Sequence, residues 1–198
     1  MPDLKTLFID LTGLTLREPR KAAARVLAIQ VPRPVLWQAL VLVVVLGAIQ
    51  TIISDYMVLF MAGPGATLLF AANPLVTSVM ALGGTVVMVH AIHRIGAMFG
   101  GRGDLDGALK IAIWVQAVLL LFNTAQLILM LFAPVLSALM GMVNVGILFW
   151  LMTVFIAVLH GFQSYPKVLL GIFLSALMLG MAFIILLSVT GLSSVLGV

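Results

Sequence analysis

Charged positions are absent over long runs of the chain. Between Val35 and His93 the only one is Asp55, from Ile111 to Pro166 there is none, and none follows Lys167. A helix needs about 20 apolar residues to cross a hydrocarbon core about 30 Å thick, so the three runs hold two, two and one crossings. Five spans are predicted, near residues 35–54, 75–98, 108–132, 138–160 and 168–190. Turn-forming residues separate them: Gly63, Pro64 and Gly65 with Asn73 and Pro74, the stretch from Gly100 to Asp104, Pro134, and the stretch from Gly161 to Pro166. Residues 56–73 are too apolar for a free loop and too broken for a span. They are expected either in the outer interface or as a re-entrant segment shielded from lipid by protein.

Residues 1–34 read as a basic, amphipathic surface segment ahead of the transmembrane domain, 35–198. Their apolar run starts too late, and lacks the cleavage site, for a signal peptide. Pro19 suits the first turn of a helix running to about Gln30. Arg17, Lys21 and Arg25 follow one another at i, i+4 spacing on one face, with Ala22, Val26 and Ile29 opposite. Such a helix is expected either to lie in the anionic headgroup layer with those three cations as lipid contacts or to be an ordinary basic juxtamembrane flank that only sets topology. Val31 to Pro34 then turns the chain into the first span.

Composition and charge extend this picture. Of 198 residues 64% are hydrophobic and 8% charged, with mean hydropathy +1.31, against about 45–50% apolar and about 25% charged in soluble domains. That excess requires lipid as solvent. The absence of cysteine excludes disulfides, thiol nucleophiles, Cys-ligated metal and palmitoylation. With five spans, all ten Lys and Arg fall on one side and none on the other. The positive-inside rule puts that side, and the N-terminus, in the cytoplasm. Trp37, Tyr56, Trp114 and Tyr165 fall near span ends as an interfacial belt; Trp150, deep in the fourth span, does not.

Polar residues within the spans are the candidates for chemistry. His90 and His93 share a face near the inner end of the second span, His160 ends the fourth on the same side, and Asp104 and Asp106 lie in the loop between. Such a set resembles a metal or proton-relay cluster. Half-hydrated histidines near headgroups are the plainer expectation, and neither metal nor cofactor is expected. Asn123 and Asn144 lie at nearly equal distances from Pro134, so a helical hairpin brings the two amides together, with Gln116 and Gln126 on roughly the same stripe as Asn123. They serve either as packing contacts between helices or as the lining of a solute path. Small residues at spacing four, among them Gly96 with Gly100 and Ser137 with Gly141, favour close helix approach. No phosphate-binding loop, nucleophile elbow or acid–base set appears.

The layout resembles the Yip1 family, in particular its short bacterial members. The resemblance rests on Thr15 to Arg20 ahead of the basic stretch, Pro32 to Pro34 before the first span, Phe99 to Gly103 before the third, and His160 to Phe162 before Lys167 and the fifth. It implies a cytosolic N-terminus, five spans and no known catalytic activity. Eukaryotic relatives look like membrane-trafficking factors that contact prenylated Rab-type GTPases. This chain lacks their long N-terminal region, and Asp10 to Leu14 only partly echoes their motif, so that contact is not carried over. The expected protein is an all-α, polytopic membrane protein: five transmembrane helices and an amphipathic surface helix. It is expected in a bacterial inner membrane with a periplasmic C-terminus, non-enzymatic, acting as a scaffold or organising partner of other membrane proteins and binding no nucleic acid. Its rivals are a small-solute or ion permease lined by the four amides and an intramembrane enzyme built on the histidines.

Overall fold

In the computed structural model, residues 4–63 and 74–190 are described, and among them there are seven helices and no strand. They are α1 (Leu4–Arg17), α2 (Pro19–Ala28), α3 (Arg33–Ala62), α4 (Pro74–Met98), α5 (Leu105–Phe132), α6 (Pro134–His160) and α7 (Tyr165–Thr190). Helices α3 to α7 are each long and apolar enough to cross a membrane, so the chain is an all-α polytopic membrane protein. Proline occupies the first turn of α2, α3 and α6, where its missing N–H has no intrahelical partner to lose.

The five long helices run alternately up and down. At one end the ion pair of Arg33 Nε with Asp106 Oδ1, 2.6 Å, joins the starts of α3 and α5, and the Arg102 amide donates to the His160 carbonyl at 3.4 Å beside the ends of α4 and α6. At the other end Ser137 Oγ donates to the Gln126 carbonyl at 3.1 Å, closing the α5–α6 hairpin. A single residue, Ala133, joins those two helices.

Packing differs between the two halves. Near the basic end lies an apolar core of Leu36, Leu40, Val89, Leu109, Ile111, Val115, Leu151 and Phe155. Beyond Val118 no described residue of α5 is buried, and in α6 the residues buried before Leu151 are Ser137 and Asn144, both polar. Lipid is as apolar as leucine, so the far half gains little by burying apolar area and relies on hydrogen bonds between helices. Helix α7 lies outermost against α6, with Phe149 stacked on Phe173 at 4.6 Å.

Three expectations need correction. Residues 56–62 do not form a re-entrant segment: they continue α3, whose helix ends only at Gly63, φ +83°. Nothing between Arg33 and Ala62 breaks an apolar helix, and Gly63 tolerates the positive φ that stops it; residues 64–73 lie outside the described residues. The expected amphipathic helix forms as α2, two residues shorter than expected, but Ala22, Ala23 and Val26 are buried against α5 and α6 rather than in the headgroup layer. Lys110 Nζ, from α5, donates to the Leu27 carbonyl at 2.9 Å and meets the carbonyl end of α2. Finally, residues 4–17 form a helix of their own. Leu11 and Thr15 of α1 are buried, Trp114 Nε1 donates to Thr15 Oγ1 at 3.0 Å, and Phe8 meets the Trp114 ring edge-on at 5.5 Å.

Candidate functional site

Two glycine-terminated helix ends meet at the basic end of the bundle. Helix α4 stops at Gly100, φ +81°, with the Gly100 amide on the Ala97 carbonyl and the Gly101 amide on the Gly96 carbonyl. Helix α6 stops in the same way at Gly161, φ +74°, with the Gly161 amide on Val158 and the Phe162 amide on Ala157. Both are left-handed caps of the kind glycine accepts without steric cost. They bring His160, the last residue of α6, against the loop from Gly100 to Asp104.

His160 is 3% exposed and bonded on both ring nitrogens. The Gly103 amide donates to Nδ1 at 3.2 Å, so Nδ1 is an acceptor, the proton sits on Nε2, and Nε2 donates to the Ile92 carbonyl at 3.0 Å. The ring also stacks on Phe162, 5.4 Å between centroids. Three glycines make room for it. A methyl at Gly96 or Gly101 would collide with the imidazole, and one at Gly103 would lie 2.6 Å from Leu159 Cγ and 2.7 Å from His160 Cε1. This collar of glycines thus ties α6 to the end of α4 and to the loop that joins α4 to α5, through one neutral imidazole.

The other histidines behave differently. His93, partly buried, bonds through Nδ1 to the Gly103 carbonyl at 3.1 Å, on the same loop residue as His160. His90 is exposed, bonds to the Val86 carbonyl of its own helix at 2.8 Å and faces Trp37 at 6.3 Å. Two of the three therefore meet at the loop and the third turns away. His160 is not the hydrated imidazole expected from its place at a helix end; the collar excludes water and supplies its partners from backbone. Asp104 and Asp106 serve helix α5: Asp104 caps it by accepting from the Gly107 amide at 2.8 Å, and Asp106 pairs with Arg33. Among the described residues no three His, Asp or Glu side chains gather as a metal would require.

The amides form a second polar region, toward the opposite end. Asn144 Nδ2 donates to Asn123 Oδ1 at 3.1 Å and to Gln126 Oε1 at 2.8 Å. Gly141 gives Gln126 its place, since a methyl there would lie 2.9 Å from Nε2. Gln116 departs from the common stripe and reaches α4, donating to Thr85 Oγ1 at 3.3 Å. Gln50 was not singled out by the sequence. Its Nε2 donates to the Leu120 carbonyl and to Thr124 Oγ1, joining α3 to α5; a glutamine amid an apolar run was the available signal. Asn144 Oδ1 and Gln50 Oε1 are buried without a hydrogen-bond partner among the described residues.

Arg17, Lys21 and Arg25 are all exposed, Lys21 beside Glu18. Two cavities flank α2 at the basic end. One of about 360 Å³ is lined by Gln30, Arg102, Asp104, Asp106 and Lys110, and one of about 260 Å³ by Arg20, Gln163 and Tyr165, with the Arg20 guanidinium 5.8 Å from the centre of the Tyr165 ring.

Among curated proteins and solved structures, none matches this chain. A family model described as Yip1 domain matches residues 13–188. The match runs from within α1 into α7 and takes in the collar, the amide contacts and all five long helices. This multi-pass membrane protein belongs to the Yip1 family.

Proposed function

We propose that this Yip1-family protein is a non-enzymatic scaffold that organises other membrane proteins in a bacterial inner membrane, with its N-terminus in the cytoplasm and its C-terminus in the periplasm. The observation that carries the reading is the use of the amides: Gln116, Asn123, Gln126 and Asn144 each bond a neighbouring helix instead of facing an opening, and both flanking cavities lie at the basic end, outside the level of the amides. Such contacts hold helices together. The orientation rests on the ten-to-none distribution of Lys and Arg, and Arg17, Lys21 and Arg25 are the proposed contacts to anionic headgroups. The permease reading draws support from one feature, the partnerless oxygens of Asn144 and Gln50, which are acceptors a passing solute or water would use.

Affinity purification from native membrane in mild detergent tests the scaffold. A stoichiometric membrane-protein partner, recovered repeatedly, is the expected result. Repeated recovery of the chain alone would overturn it and return the permease to first place.

A further inference from the structure

Helix α1 presents three distinct faces. Phe8, Leu11 and Thr15, at helical spacing, pack on the bundle around Trp114. Asp10 and Arg17, seven residues apart, lie on an exposed flank that also carries Leu7, 45% accessible. Ile9 and Leu16, also seven apart, lie on an exposed apolar flank, 58% and 42% accessible. A helix packed against protein in water has no need of that third face.

Its depth explains the apolar flank. The Arg33–Asp106 ion pair marks the level of the charged boundary. Trp114, on which α1 rests, lies eight residues further along α5, about 12 Å inward at 1.5 Å per residue. In-plane helices sit with their apolar side about 5–10 Å into the boundary between headgroups and acyl chains, and indole rings favour the same zone. Helix α1 is 14 residues long, about 21 Å, too short to cross. We infer that α1 is an in-plane helix seated in one leaflet, with Ile9 and Leu16 against lipid acyl chains and Asp10 and Arg17 toward the headgroups. The lipid-facing role that the sequence suggests for α2 belongs to α1, because the apolar face of α2 is already covered by α5 and α6. Lipid is the occupant argued here because the flank lies at membrane depth beside five spans whose outer faces are equally apolar.

The absence of native cysteine allows a direct test. Ile9→Cys, Asp10→Cys and Leu16→Cys, each exposed and so tolerant of a label, are spin-labelled in the full chain and reconstituted in nanodiscs of phosphatidylcholine and phosphatidylglycerol. Power saturation then compares collision with oxygen, which partitions into lipid, and with a nickel chelate, which stays in water. The expected result is oxygen-dominated collision at Ile9 and Leu16 and nickel-dominated collision at Asp10, a reversal of sign between adjacent residues. Nickel access at Ile9 and Leu16 would place α1 in water. Protection from both reagents would mean that a second copy covers the flank. Oxygen dominance at all three would mean that the helix has no polar side; each of these outcomes overturns the inference.

Discussion

Gly96 and Gly84 lie in the same helix and face opposite demands, which makes them a test of the collar. A methyl at Gly84 meets nothing within 4 Å, so Gly84→Ala is expected to stabilise by about 0.5–1 kcal/mol through the lost backbone entropy of glycine. The same change at Gly96 drives a methyl into the His160 ring and is expected to cost about 1–3 kcal/mol. Thermal unfolding in detergent reads both, and equal shifts in Tm would show that the collar is not tight. Combined with His160→Ala, the Gly96→Ala penalty should vanish, a non-additivity that only direct contact produces. Asn144 offers a second comparison. It bonds both Asn123 and Gln126, so at about 0.6 kcal/mol for an average bond in a membrane protein Asn144→Leu should lower stability about twice as much as Asn123→Leu. The pair should couple in a double-mutant cycle; equal and additive losses would mean that the bonds do not form in lipid. The meeting of Asn123 and Asn144 was legible from their distances to Pro134. The second bond to Gln126 was not, since it depends on the space left by Gly141, and neither was the burial of His160, which needs three glycines from another part of the chain.

Helices were easier to read than their ends. Charge-free runs disclosed five long helices because lipid tolerates little else, whereas α3 outran its expected limit near residue 54: Asp55 looks like a boundary in a charge count but sits within a continuous helix. Helix α1 escaped notice for a different reason. Its apolar positions serve two faces, one against Trp114 and one exposed, which blurs the single stripe by which amphipathic helices are recognised. Thr15→Val tests how α1 is held. It removes the oxygen that accepts from Trp114 while keeping the shape, and leaves the indole N–H without its partner, at about 1–3 kcal/mol for a buried group. Hydrogen exchange should quicken in α1 while α4 to α6 keep their protection. Uniform quickening throughout would show instead that α1 is integral to bundle stability.

Over the whole molecule, the apolar core is gathered at the basic end and the far half is joined by amides and hydroxyls. Single cysteines at Gln116 and Asn123, probed with a membrane-impermeant thiol reagent, should remain unlabelled if these contacts are dry; rapid labelling would indicate a water path and count against the scaffold. A fluorescent protein that matures only in the cytoplasm, fused after Val198, should stay dark, and bright cells would refute the proposed orientation. The far end also bears on how the protein enters a membrane. Ala133 alone links α5 and α6, and no charge lies anywhere from Ile111 to Pro166. During biosynthesis, therefore, no hydrophilic loop has to be translocated between these two helices. They can partition into the bilayer together as a preformed hairpin, without drawing on the membrane potential to move a charge across.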